Sequence, residues 1–341
     1  MPPTITSTQP ALSIQGVRKT FGPKVAVTDM NLTVETGSTV AFLGPNGAGK
    51  TTTIRMIMSI IFPDRGELNV LGKKSAVESK DRIGYLPEER GLYKKMKVGA
   101  FLQYMARLKG VPAEQVKPLV SKWLDKVGLG DCEKKKCEEL SKGMQQKVGF
   151  VAAIMHDPDL VILDEPFSGL DPVNASLMRS LVDEMKHAGK TILFSTHVMA
   201  HAEALCDHVL MIHKGDKVLD ESMDDIRSRL DLRTVLVEPL IKTRGLDPSF
   251  VGTAMIEVAH TLQAIRNVEL VVPSHRQPGT LEVNVAEGTD TQEMMRQIAF
   301  AVPIRRIELR RVSLEDIFIN LVGADGTEDG PGSVKGPIAG E

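Results

Sequence analysis

Nine residues, Gly44-Pro45-Asn46-Gly47-Ala48-Gly49-Lys50-Thr51-Thr52, constrain this chain more than any other stretch. The apolar run Thr39-Val40-Ala41-Phe42-Leu43 precedes them, and Ile54-Arg55-Met56-Ile57-Met58 follows. The spacing G-x-x-x-x-G-K-T between a buried strand and a helix is that of a phosphate-binding loop. Glycines let the backbone turn its N–H groups inward, where larger side chains would block them. Lys50 is placed to reach the β- and γ-phosphates of a nucleotide, and the Thr51 hydroxyl to ligate Mg²⁺. The helix that starts here adds the positive end of its dipole.

The rest of the chain reads as partners for that unit. Strand patterns at Leu12–Val17 and within Val25–Val34, with Lys19–Pro23 as a turn, predict a small antiparallel sheet leading into the loop. The helix is expected to continue to Ile61 and stop at Pro63-Asp64-Arg65-Gly66. Short strands are expected at Leu68–Leu71 and Arg82–Pro87. From Val98 to about Asp157 the apolar spacing turns helical, with Phe101, Leu102, Tyr104, Met105 and Leu108 on one face. Buried-strand runs return at Leu160–Leu163 and Thr191–Ser195, with helices at Ala175–Ala188 and Met199–Cys206. Strands near Val209–Ile212 and Lys217–Leu219, then a helix to about Leu230, close this part. Strands alternating with helices imply a mostly parallel sheet with crossovers.

After Asp231 four strands (Thr234–Val237, Val268–Val272, Leu281–Val285, Ile304–Leu309) mix with three helices, which predicts a small α+β domain. The expected organisation is a flexible tail at 1–10, a nucleotide domain at 11–230 with a helical insert at about 98–157, an accessory domain at 231–323, and a Gly-rich disordered tail at 324–341. The 341 residues suit two domains or three compact units.

Composition excludes several classes. A formal charge of −2 and 4% aromatic residues provide neither the basic stripe nor the stacking platform of a nucleic-acid binder. Cys132, Cys137 and Cys206 form no C-x-x-C pair and read as reduced thiols, so a zinc site is not expected. The N-terminus lacks a basic start followed by an apolar run. Apolar stretches such as Val148–Met155 fall short of the roughly 20 residues needed to span a bilayer. A cytoplasmic protein is expected, with any membrane role exercised through a partner.

Two further points carry chemistry. Asp164-Glu165 ends a buried strand, where ligands bind in open α/β sheets. Asp164 can hold Mg²⁺, directly or through water, and Glu165 can polarise a water against the γ-phosphate. His197, in Ser195-Thr196-His197, follows the next buried strand and can donate to that phosphate and sense its loss. The loop, the acidic pair and the histidine occur in that order, each read as one strand from the last.

With these residues in view, Leu12–Leu230 resembles the ATP-binding subunit of an ABC transporter, a P-loop NTPase. Leu140-Ser141-Lys142-Gly143-Met144-Gln145-Gln146-Lys147 is similar to that family's signature, L-S-G-G-Q-x-Q-R. Ser168-Gly169-Leu170-Asp171 resembles its D-loop, His197 its switch histidine, and Phe21 stands where an aromatic ring stacks on adenine. Glu88 occupies the usual Q-loop glutamine position and can ligate Mg²⁺ as a carboxylate. The resemblance implies that two copies pair head to tail, with ATP between the loop of one and Ser141, Lys142, Gly143 and Met144 of the other. Ser141 and Gly143 precede a helix, which independently suits an anion. Lys142 replaces a glycine, so its ammonium either adds charge near the phosphates or points to solvent; Met144 and Lys147 replace glutamine and arginine.

Ile83–Tyr93 and Ser313–Phe318 resemble more narrowly the bacterial sodium-extrusion ATPases with an accessory C-terminal domain. That implies an exporter subunit, peripheral on the inner face of the plasma membrane, that works with a multi-span permease. The segment after Glu88 and the helical insert are expected to receive the permease; Phe101 and Tyr104 read as core packing where they are buried. A soluble ABC ATPase acting on ribosomes or DNA is the alternative. Against it stand a single ATPase module, no sustained heptads and no basic stripe. The accessory domain is open to dimer-stabilising, permease-contacting or ligand-sensing roles, with a dimer or regulatory role preferred.

Overall fold

The computed structural model describes residues 9–89, 91–241, 248–274 and 277–323. Residues 1–8 of the expected N-terminal tail and all of the expected 324–341 tail lie outside them. Backbone contacts divide the chain into two units: one runs to Met223 and takes up again at Phe318, the other is Asp224–Ile317.

The first unit begins with strands β1 (Leu12–Phe21) and β2 (Lys24–Val34), followed by β3 (Thr39–Leu43), helix α1 (Lys50–Ile57), β4 (Arg65–Val70) and β5 (Ile83–Leu86). Helices α2 (Val98–Leu108), α3 (Ala113–Lys126) and α4 (Lys142–Ile154) form the insert. Then come β6 (Leu160–Asp164), α5 (Pro172–His187), β7 (Thr191–Thr196), α6 (Met199–Leu205), β8 (His208–His213) and β9 (Asp216–Ser222); α7 (Met223–Ser228) starts on the last residue of this stretch and otherwise belongs to the second unit. A three-stranded antiparallel sheet has the order β2-β1-β4. The main sheet has the order β5-β6-β7-β3-β8-β9, parallel except for β9.

Strands β3 and β6 are buried at every position, as expected of central strands of a parallel sheet covered on both faces. Helix α1 lies in the shared core: its Ile54, Met56 and Ile57 pack with Leu12, Ile14 and Met30 of the small sheet and with Phe42, Ile162 and Leu210 of the main one. Each such side chain, fully buried, contributes roughly 2 kcal/mol. The helix that carries the phosphate loop is thereby held between two sheets.

Several boundaries differ from expectation, each for a local reason. Helix α1 ends at Ile57 rather than Ile61. Ser59 takes a left-handed φ of 55°, and the Ile60 N–H returns to the Arg55 carbonyl at 2.9 Å while the Ser59 N–H reaches Met56 at 3.0 Å. This is a Schellman closure with serine in the usual glycine place. The Ser59 hydroxyl accepts from the Ala76 N–H at 3.2 Å, tying that turn to its surroundings. Lys19–Phe21 is strand, not turn, because β1 pairs with β2 as far as Phe21↔Lys24. For the same reason β2 is one strand rather than several. The helix expected to reach Leu230 is only α7, and a strand starts at Leu230.

The second unit contains β10 (Leu230–Pro239), α8 (Pro248–Gln263), β11 (Val268–Pro273), β12 (Leu281–Val285), α9 (Thr291–Ala301) and β13 (Ile304–Arg311); α10 (Leu314–Gly323) closes the described chain. Its antiparallel sheet has the order β11-β12-β10-β13. Val235, Val237, Leu281 and Val283 pack there against Leu262, Met294 and Ile298 of the helices. The architecture is an α/β phosphate-loop fold with an antiparallel β subdomain and helical insert, followed by a small α+β unit.

Cys132, Cys137 and Cys206 are buried and form no disulfide. Phe101 is core, whereas Tyr104 is exposed and meets Tyr93 edge to face at 5.9 Å between ring centres. Core packing therefore accounts for Phe101 and not for Tyr104. Among the described residues no helix is long and apolar enough to cross a membrane.

Candidate functional site

The loop after β3 folds as the glycine spacing demands. Gly44 adopts φ 148°, and a Cβ there would come 2.1 Å from the Ile212 carbonyl oxygen at the end of β8. At Gly49, φ 115°, a Cβ would lie 2.6 Å from the Ala26 carbonyl oxygen of β2. The loop is threaded between two backbones, and only glycine passes at these points. Lys50, nearly fully buried, curls back over it and donates from Nζ to Gly44 O at 2.7 Å and Pro45 O at 3.2 Å. Burial lowers its pKa, opposed by the charges of Glu165, Asp164 and Glu88.

The order of the main sheet places the acidic pair and the histidine beside this loop. Strands β6, β7 and β3 are consecutive neighbours, so their C-terminal ends meet. The chain order hides this: β4 and β5 intervene between the loop and Asp164, and the reading of one strand per step does not hold along the chain. Asp164 is fully buried, and its Oδ1 accepts from the Ser195 hydroxyl and lies 3.3 Å from Thr51 Oγ1. Its Oδ2 is buried without a hydrogen-bond partner. A buried carboxylate oxygen left unpaired beside a threonine hydroxyl fits Mg²⁺, which takes one or two protein oxygens and completes its shell with water and phosphate oxygens.

Glu165 turns at φ 50°, a left-handed conformation that costs a non-glycine residue on the order of 1 kcal/mol or more. Its N–H donates to Ser195 Oγ at 3.0 Å. The turn brings Oε1 to 3.0 Å from His197 Nδ1 and 3.8 Å from Lys50 Nζ. Glu165 is largely buried, while the His197 side chain is 48% exposed and is not among the residues lining the cavity above the loop. A cavity of about 390 Å³ opens above the loop. It is lined by Asn46, Gly47, Gly49, Lys50, Thr51, Thr52, Glu88 and Glu165, with Phe21, Lys24 and Ala26 at one side. Phe21 is 51% exposed, with Lys19 Nζ 5.5 Å from its ring centre.

The remaining candidates are elsewhere. Ser141–Met144 and Asp171 do not line this cavity. Ser141 and Lys142 stand exposed at the start of α4, where the Ser141 hydroxyl accepts the Met144 N–H at 3.3 Å and caps the helix. Lys147, read as a departure in the signature, is buried and donates to Val127 O at 2.8 Å inside the insert. Asp171 caps α5 by accepting from the Asn174 and Val173 N–H groups, and the backbone and side-chain hydrogen bonds from Asn174, with that from Val173, hold its carboxyl below the usual range. Gly143 lies against this turn, because a Cβ on it would be 3.6 Å from Leu170 and 3.7 Å from Asn174.

Two participants were missed from sequence. Lys24 reaches the cavity from β2, an ordinary charge on an exposed strand end. Ser195 joins Asp164 and Glu165, and the only signal for it was a hydroxyl at a position where a buried strand wants an apolar side chain.

Comparison with known proteins gives the family of the chain. Residues 27–168 match the family described as ABC transporter, and residues 222–322 match the C-terminal domain of DrrA1-3-like ATP-binding proteins. The uncharacterized ABC transporter ATP-binding protein YhaQ of Bacillus subtilis is 37% identical over 92% of this chain and 99% of its own length. The Nod factor export ATP-binding protein I of Ralstonia nicotianae is 30% identical over 95% and 97%. A solved structure of an ATP-binding subunit of an ABC transporter superposes with a TM-score of 0.60 at 32% identity, over 64% of this chain and 92% of that one. The chain therefore belongs to the ABC transporter ATP-binding proteins, a family of ATPases.

Proposed function

We propose that this chain is the ATP-hydrolysing subunit of an exporter, that it acts as a pair of copies, and that it drives a separate membrane permease from the cytoplasmic face. The observation that carries the reading is the convergence of Glu165 with Lys50 and His197 above the phosphate loop. In the closed pair Lys50 neutralises the terminal phosphates, Glu165 orients and deprotonates the attacking water, and His197 holds the Glu165 carboxylate while its exposed edge meets the γ-phosphate. Thr51, Asp164 and Glu88 would hold Mg²⁺, which when bound would supply positive charge to the phosphates as a Lewis acid. Phe21 stacks on the base.

The exposed start of α4, with Ser141, Lys142 and Gly143, serves the nucleotide held by the second copy, because in its own chain it lies outside the cavity. Asp171 belongs to the turn whose Leu170 and Asn174 lie against Gly143. Hydrolysis removes the shared ligand and reopens the pair, which moves the permease. Export is supported by the Nod factor relative, which aligns over nearly the whole chain. The alternative of an ATPase acting on ribosomes or DNA gains no support from these relatives. The cargo is set by residues of the permease, and sodium rests only on the narrower resemblance.

Pairing is tested with the Glu165→Gln variant on a sizing column. At millimolar ATP and Mg²⁺ its mass is expected to shift from one chain of 37.2 kDa to two. A variant that remains a single chain under those conditions counts against the paired site.

A further inference from the structure

Ser195 is a fully buried hydroxyl at the C-terminal end of β7, in register with Asp164 of β6. Its Oγ donates to Asp164 Oδ1 and accepts the Glu165 N–H at 3.0 Å. A hydroxyl has one proton and two lone pairs, so both bonds form at once and fix where that proton points. The donated bond occupies Oδ1 and leaves Asp164 Oδ2 as the unpaired oxygen. The accepted bond anchors the backbone of Glu165 at its left-handed φ of 50°, and that turn is what carries Oε1 to His197. His197 in turn is two residues beyond Ser195 on the same strand end.

We infer that Ser195 is a positioning residue for hydrolysis: its single hydroxyl aims Asp164 at the metal and holds the Glu165 carboxylate toward the phosphates. It touches neither nucleotide nor metal. Partners of this kind, one shell behind the ligands, commonly govern metal affinity and rate by about 10- to 100-fold. The inference rests on the proposed roles of Asp164 and Glu165. A serine that merely satisfied a buried carboxylate would affect stability and leave the metal response alone.

The test is Ser195→Ala, with Ser195→Thr as the variant that keeps the hydroxyl. ATP hydrolysis, nucleotide affinity in EDTA, and nucleotide affinity across a Mg²⁺ titration are measured on the full chain. In Ser195→Ala, kcat is expected to fall about 10- to 100-fold with KM little changed. Affinity in EDTA stays within about twofold, while the Mg²⁺ midpoint rises about tenfold. Mn²⁺ binding to the ADP complex, read by electron paramagnetic resonance, should weaken in parallel. Ser195→Thr recovers most of the metal response. A folded Ser195→Ala chain with parental kcat and Mg²⁺ midpoint overturns the inference, as does a Ser195→Thr chain no better than alanine. If alanine does not fold, Ser195→Cys, near-isosteric and only a weak donor, is expected to raise the midpoint, and a parental midpoint overturns the inference. Failure of the underlying reading looks different: the parent chain itself would then show no dependence of nucleotide affinity on Mg²⁺.

Discussion

Lys50→Ala is expected to weaken ATP binding by at least about 100-fold, because charge-assisted hydrogen bonds are worth roughly 1.5–3 kcal/mol each and more than one is lost. The structure adds a second reason. Lys50 is the cation set among Glu165, Asp164 and Glu88, all of which act on it electrostatically. Removing it leaves those carboxylates facing an anionic ligand without the buried cation set among them. The side chain is also held in place before any ligand arrives, by Gly44 O and Pro45 O, so little ordering cost is paid on binding. Isothermal titration with ATP and Mg²⁺ measures the effect. An unchanged affinity would mean that the cavity above Gly44–Thr52 is not the nucleotide site.

Glu165→Gln is expected to reduce ATP hydrolysis by roughly 10³-fold, within the range ascribed to a positioned general base. Nucleotide affinity should survive, because glutamine keeps the shape of the side chain and an oxygen that His197 Nδ1 can meet. The left-handed backbone at position 165 is held by Ser195 Oγ and does not depend on the carboxylate. The loss is therefore one of chemistry rather than of architecture. Release of inorganic phosphate under saturating ATP measures it. A variant retaining more than about a tenth of the parental rate would remove Glu165 from the role of base.

The phosphate loop was legible because its requirements are local. Gly44 and Gly49 lie within nine residues of sequence, and each meets a backbone that excludes any Cβ. Asp164 and Glu165 were legible because a continuous apolar strand announces a central position and an acidic pair at its end has few other uses. The small sheet and the insert followed from apolar periodicity alone. What could not be read was set by pairing between distant strands. Nothing local says that β7 lies between β6 and β3, and this is what puts His197 against Glu165 and Ser195 under Asp164. Apolar spacing carries α1 past its true end because serine, not glycine, takes the left-handed closing position at Ser59. Its hydroxyl contacts with Ser75 and Ala76 join segments 16 and 17 residues apart. Tyr104 shares a helical face with buried residues yet remains exposed, since periodicity assigns a face but not how far the neighbouring element covers it.

The central claim is that Gly44–Thr52 is half of a pocket whose other half belongs to a second copy. Mixing two inactive variants tests it directly. Lys50→Ala disables the loop but keeps the start of α4; Ser141→Arg blocks that start at an exposed position and keeps the loop. Each alone should hydrolyse ATP at about a hundredth of the parental rate or less. In a mixed pair one pocket combines the intact loop of one chain with the intact Ser141–Gly143 of the other. Mixing is therefore expected to restore a substantial share of activity, rising with the fraction of mixed pairs. Activity that stays at the sum of the two variants at every mixing ratio would contradict the account.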